Sequence, residues 1–230
     1  MRPFVIINSA MSADGKISTI ARKQVRISGT EDMQRVDALK ARTDAVMVGV
    51  GTVLADDPKL TVKSDVLKRE RVAEGRAENP LRIVVDSNAR TPSTAAILGP
   101  NVLIVVTRQA PRRKVEELEA KAEVLVVGER KVDLGALLVR LKDRGVNSVL
   151  VEGGATLNFA LLSLGLVDEV YTYVGNIIIG GSSAPTLADG DGLTSDFVKL
   201  KLRQICQMGE GVLIKWEVLA PRFKPLNAFR

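Results

Sequence analysis

Short apolar runs alternate along this chain with segments of helical periodicity. Six runs have the length and β-branched content of buried strands: Phe4 to Ser9, Ala45 to Val48, Arg82 to Asp86, Val102 to Val106, Glu123 to Val127 and Ser148 to Glu152. Helical spacing is predicted between them at Glu31 to Ala41, Pro111 to Ala120, Leu134 to Arg144 and Thr156 to Leu164. Ser28 stands three residues before Glu31, the spacing of a capping box, which marks the start of the first helix. Such alternation implies a mainly parallel sheet covered by helices. The last third changes character: Glu169 to Val174 alternates, and Val198 to Gln207 and Val212 to Leu219 flank the turn-like Met208-Gly209-Glu210-Gly211. That pair predicts an antiparallel hairpin finishing the sheet. Val62 to Pro80 and Gly180 to Gly192 read as long loops, the first charged and exposed. Neither reads as a linker, so one domain over residues 1–230 is expected.

Several polar or glycine-rich turns follow these strands, and a parallel sheet gathers them at one end, where open α/β sheets bind ligands. The most informative is Val149 to Asn158, where an apolar run ends in Glu152, Gly153 and Gly154 before an amphipathic segment. Glycines allow close approach, and a helix beginning there offers unpaired N–H groups to an anion. Gly49-Val50-Gly51 invites a dinucleotide reading, but Leu54 stands where the third glycine of that fingerprint belongs. Asp56 and Asp57, before Pro58, either cap the turn ending a short helix or face a ligand. Asp14-Gly15 suits a tight turn, and the residues before it, Asn8 to Met11, could face a bound ring. Ser87, Arg90 and Arg108 are placed to meet a phosphate.

Composition narrows the chemistry. The chain has no histidine and one cysteine, Cys206, which excludes a Ser-His-Asp triad, a Cys-His pair, a histidine metal cage and an internal disulfide. No metal is expected. Carboxylates, lysines, hydroxyls, backbone groups or a borrowed cofactor must do the work. The 33 basic and 27 acidic residues are interspersed, and only eight residues are aromatic, so neither a nucleic-acid footprint nor a stacking platform is expected. No apolar run approaches the roughly 20 residues of a membrane helix. The amino terminus enters a strand without the zones of a signal peptide, so a cytoplasmic protein is expected.

Taken together, these motifs resemble the reductases of riboflavin biosynthesis, which have a dihydrofolate-reductase-like α/β fold: a mainly parallel central sheet flanked by helices, with a C-terminal antiparallel hairpin. The resemblance rests on Ser12 to Lys16, Gly51 to Val62, Arg82 to Ser87, Glu152 to Asn158, Leu166 to Glu169 and Gly180 to Thr186, and spans essentially the whole chain. It is to the standalone archaeal and fungal type, since no zinc deaminase domain fits a chain without histidine. The resemblance implies NADPH-dependent reduction of a phosphorylated ribosylaminopyrimidine, with NADH use left open, by a homodimer. It implies cofactor contacts at Ala10, Arg26, Thr52, Asp56, Ser87, Arg90 and Gly153, Gly154, Ala155, Thr156, Leu157 and Asn158. Substrate contacts are implied at Gln24, Lys40, Leu60, Lys63 and Glu152. The catalytic candidates are Glu152, Asp57 and Asn8, the last at the position of a lysine considered as proton donor in bacterial relatives. Two other readings compete: a pterin reductase on the same fold, and a non-catalytic nucleotide-binding module.

Overall fold

The computed structural model describes residues 1–23 and 25–219. Among these described residues, nine strands form one sheet in the order β5-β4-β3-β2-β6-β1-β7-β9-β8. Strands β1 (Phe4–Met11), β2 (Ala45–Gly49), β3 (Leu81–Val85), β4 (Val102–Val106), β5 (Glu123–Val126), β6 (Ser148–Val151) and β7 (Glu169–Val174) are all parallel. Strands β8 (Leu200–Met208) and β9 (Gly211–Val218) pair antiparallel, and β9 joins the sheet through β7. The predicted parallel sheet and closing hairpin are therefore both present.

The inner parallel strands β2, β3, β4 and β6 are buried on both faces, which is why they read as continuous apolar runs, whereas the edge strand β5 is not. Alternate residues feed two cores. Val5, Ile7, Met47, Val149 and Val151 pack with Leu137, Leu138 and Leu141 of α5 (Leu134–Asp143) and Leu157 and Leu161 of α6 (Ala155–Ser163). Ile6, Val46, Val48 and Leu150 face the other way. They meet Leu39 of α1 (Thr30–Arg42), Val50 and Val53 of α2 (Val50–Asp56) and Leu118 of α4 (Arg112–Glu119). Among the described residues, no helix is long and apolar enough to cross a membrane.

Two local expectations need correction. Ser28 does not close a capping box: Gly29 is the N-cap of α1 and no side chain caps it. The Glu31 carboxylate instead accepts from the Gly209 N–H at 2.7 Å, so the hairpin turn takes up the group a cap would have used. The stretch Val62 to Pro80 is not simply a loop, because it contains α3 (Asp65–Ala73), whose N-cap Ser64 accepts from the Leu67 N–H. Its apolar residues are too few to show as a stripe, and polar contacts tie it to α1. Asp37 accepts from the Lys63 and Ser64 N–H groups at 2.7 and 2.9 Å.

The buried guanidinium of Arg71 donates to the carbonyls of Ala41, Thr43 and Ala77 at 2.7 to 3.0 Å, satisfying the end of α1. A lysine there keeps the charge and loses the planar fork. Arg71→Lys should lower the free energy of unfolding by about 1–2 kcal/mol, read as a lower urea midpoint at unchanged slope.

Candidate active site

The site forms at the carboxyl ends of the adjacent strands β2, β6 and β1. After β6 the chain turns through Gly153, at φ +98°, and Gly154, joined by a cis peptide, into α6. Position 153 requires glycine because L side chains rarely adopt that φ. A Cβ at Gly154 would stand 3.4 Å from Thr52 Oγ1, so this loop and the first turn of α2 lie against one another. The Gly49 N–H donates to the Gly153 carbonyl at 2.8 Å, locking the two turns together.

The first bond of α6 runs from the Asn158 N–H to the Gly154 carbonyl. The amides of Ala155, Thr156 and Leu157 precede it, and with the helix dipole they form an anion-binding end. Side chains beyond this edge point elsewhere. Leu157 enters the core, and the fully buried Asn158 donates through Nδ2 to the Leu187 carbonyl at 2.8 Å. Asn158 thus ties the Gly180 to Gly192 loop to the cradle, while its Oδ1 is buried without a partner among the described residues. The same loop is pinned by Asp14, which accepts from Ser12 Oγ and from the Ile179 and Gly180 N–H groups. The Ser12 hydroxyl first, then these amides, hold the Asp14 carboxyl down at about 2.

Beside the cradle, Glu152 forms an ion pair with Lys40 of α1 at 3.1 Å, and both side chains are mostly buried. Among the described residues, Glu152 Oε1 is buried with no partner. Leaving such an oxygen unsatisfied costs roughly 1–3 kcal/mol, more for a charged group, so a ligand donor is the natural complement. On the next strand Asn8 faces the same side, 8% exposed, and its Oδ1 accepts from Arg35 Nη2 at 2.7 Å. Arg35 also grips the Asp32 carboxylate, 2% exposed, with Nε at 2.8 Å. Helix α1 therefore sends Lys40 to Glu152 and Arg35 to Asn8.

Tyr171 pairs with Asn8 across β1 and β7, and its hydroxyl donates to Glu169 at 2.6 Å. Burial, then the Glu169 hydrogen bond and charge, pushes the phenol well above its usual range. Asp32, Arg35 and Tyr171 were not singled out in the sequence. A buried Asp-Arg pair at i and i+3 with Leu39 at i+7 was the available signal, and charge made it look like an exposed face.

The remaining candidates are arranged as follows. Thr52 borders the cradle, and Asp56, at the end of α2, has its carboxyl pushed up by partial burial. Asp57 is the left-handed C-cap of α2, and its carboxylate accepts from the Ala96 N–H at 2.7 Å, which fastens this turn to the segment between β3 and β4. Leu60 is buried in the second core and Lys63 is exposed beside α1. Ala10 is half-buried on β1, and Arg26 and Arg90 are exposed. Ser87 Oγ accepts from the Val132 N–H at 3.2 Å, and Arg108 pairs with Glu129 at 3.4 Å, so neither is wholly uncommitted. Gln24 lies outside the described residues.

A helix N-terminus preceded by glycines, next to a buried acid-base pair at the strand ends of an open parallel sheet, has the chemistry to take a phosphate-bearing ligand beside a donor-rich one. Residues 3–214 match the family model of the RibD C-terminal domain, and the chain belongs to that family. It is 50% identical over 216 residues to the 2,5-diamino-6-ribosylamino-4(3H)-pyrimidinone 5′-phosphate reductase of Archaeoglobus fulgidus, covering 93% of this chain and 97% of the relative. The Methanothermobacter thermautotrophicus protein of the same name is 45% identical, with 95% and 99% covered. Among solved structures, Acinetobacter baumannii RibD superimposes with a TM-score of 0.78 at 26% identity, covering 95% of this chain and 58% of that one.

Proposed function

We propose that the protein is the NADPH-dependent reductase that converts 2,5-diamino-6-ribosylamino-4(3H)-pyrimidinone 5′-phosphate to the ribitylamino product in riboflavin biosynthesis. One observation carries this reading: the orphaned oxygen of the Lys40-paired Glu152 sits at the head of the glycine turn that opens α6. An acceptor lacking a donor and an anion-binding helix end thus lie within a few residues, as a reaction between two ligands requires. The relatives' names supply the substrate class.

The cofactor fits the residues present. Gly153, Gly154 and the Ala155, Thr156 and Leu157 amides would take its pyrophosphate, bordered by Thr52 and Asp56, with Ala10 and Arg26 nearer its other end. Ser87 and Arg90 are the candidates for its adenosine 2′-phosphate. When bound, NADPH supplies a hydride. In the substrate, the C1′–O4′ bond opens as a proton passes from the exocyclic nitrogen to O4′, leaving a C1′=N imine. Hydride addition at C1′ and a proton from solvent at the nitrogen complete the ribityl product. Glu152 accepts from sugar hydroxyls or pyrimidine amino groups, and the Lys40 ion pair keeps it aimed. Leu60 walls the pocket. Holding both reactants in register is most of the catalysis asked of the protein.

The test is direct. Purified protein given the ribosylamine should oxidise NADPH and yield the ribityl compound; tight NADPH binding without turnover on this substrate would sink the assignment. Lys63 supplies a point charge for the substrate phosphate. Lys63→Ala should raise substrate KM about 5–10-fold while NADPH affinity holds, and equal weakening of both would argue against that role.

We also read the assembly as a homodimer in the cytoplasm. Support for the dimer is the open edge strand β8, where Leu200, Leu202 and Ile205 are exposed. The single cysteine suits a reducing compartment.

A further inference from the structure

The carboxamide of Asn8 is held by one end only. Its Oδ1 accepts from Arg35 Nη2 at 2.7 Å, and its Nδ2 group donates to no described residue. Among the described residues nothing accepts from that nitrogen, and it is not one of the buried side-chain atoms left without a partner. Arg35 cannot choose the other orientation of the amide, because a guanidinium has only donors and must meet the oxygen. Arg35 in turn is fixed by Asp32, whose carboxylate it meets through both Nε and Nη2. This pair is almost wholly buried, so its geometry is enforced by the cost of leaving either charge alone. Asn8 also stands on β1 where Ile7 pairs with Val151, placing it beside Glu152 on the same face.

We propose that Arg35 and Asp32 are positioning residues that lock the Asn8 amide with its Nδ2 hydrogens toward the substrate, making position 8 a fixed, neutral hydrogen-bond donor to the reacting sugar. The proposal rests on the reductase reading above. The opening of the C1′–O4′ bond creates a hydroxyl, and a donor that needs no reorganisation favours charge building on that oxygen. An amide supplies the hydrogen bond but no proton, so the proton at the nitrogen comes from solvent. Two groups of the substrate's surroundings, the Glu152 acceptor and the Asn8 donor, are then aimed by cations one helix carries.

The experiment is a double-mutant cycle read in kcat, KM and NADPH affinity. Asn8→Asp keeps an oxygen for Arg35 and leaves the Arg35-Asp32 pair intact, yet removes the donor. It should lower kcat about 10–100-fold with NADPH affinity within about twofold. Asn8→Ala should fall similarly. Arg35→Met should lower kcat about 10-fold in the native background and not at all in the Asn8→Ala background, because it acts through the amide. Arg35→Lys should recover part of that loss. Full kcat in Asn8→Asp, or Arg35→Met losses that multiply with those of Asn8→Ala, would overturn the proposal. If Arg35→Met fails to fold, Asn8→Asp alone decides. Native protein that does not turn over the ribosylamine overturns the reductase reading and this inference with it; native turnover beside a fully active Asn8→Asp overturns only the inference.

Discussion

Glu152→Gln is expected to lower kcat/KM for the ribosylamine about 100-fold or more, while NADPH affinity stays close to normal. The carboxylate has two tasks: Oε2 meets the mostly buried Lys40 ammonium at 3.1 Å, and Oε1 waits for a donor. Glutamine matches the shape but withdraws the charge, and its amide nitrogen presents hydrogens to one of two groups that themselves bring hydrogens. A hydrogen bond to a charged group contributes about 1.5–3 kcal/mol, and losing it at the substrate costs roughly 10- to 150-fold, to which the uncompensated Lys40 adds. Steady-state kinetics with a separate NADPH titration checks it. Unchanged turnover would remove Glu152 from the substrate site, and parallel loss of cofactor affinity would move it to the other ligand. The same variant separates the reductase from a nucleotide-binding module, which has no turnover to lose.

The second large effect is expected at Gly154. A Cβ there already comes within 3.4 Å of Thr52 Oγ1, and the two γ-methyl groups of valine would project further into the space before the α6 amides. The backbone conformation at this position, φ −71° and ψ −177°, is one valine adopts, so the fold should survive. NADPH affinity should fall about 100-fold or more in Gly154→Val, with the far-ultraviolet dichroism unchanged. Fluorescence titration of the cofactor reads it. Retained affinity in a folded Gly154→Val protein would place the pyrophosphate elsewhere.

The strands were legible because parallel strands covered on both faces must be apolar throughout, as in Val102 to Val106, and the structure matches that range. The hairpin was legible from its turn residues. Helix α3 was not, since it is anchored by Asp37 and by Arg71, whose partners are backbone carbonyls up to 30 residues away. A charge pattern looks the same whether it faces water or reaches inward to such carbonyls. Ser28 misled for a related reason: the spacing was right, but the Glu31 carboxylate found the hairpin turn 178 residues on.

The candidate site divides along the same line. Glu152 through Leu157 could be read directly, because a glycine turn between a buried strand and a helix is a local device whose meaning is in the order of residues. Asp57 shows the limit of local reading: the sequence pointed to a turn cap or a ligand contact, and its carboxylate accepts from the Ala96 N–H 39 residues on, a contact outside both readings. The pairing of Lys40 with Glu152 and the chain from Asp32 through Arg35 to Asn8 are not local at all. They join residues 112 and 27 positions apart, brought together only when α1 packs across β6 and β1.

By itself the sequence determined the strand-and-helix alternation, the excluded chemistries and the strand ends that carry the candidate site, because hydrophobic period and residue type act over a few neighbours. Tertiary structure alone decided which oxygen of Glu152 is left without a partner and which way the Asn8 amide turns. Those outcomes depend on whether a charge is buried beside another, and burial is a property of the packed sheet and helix together.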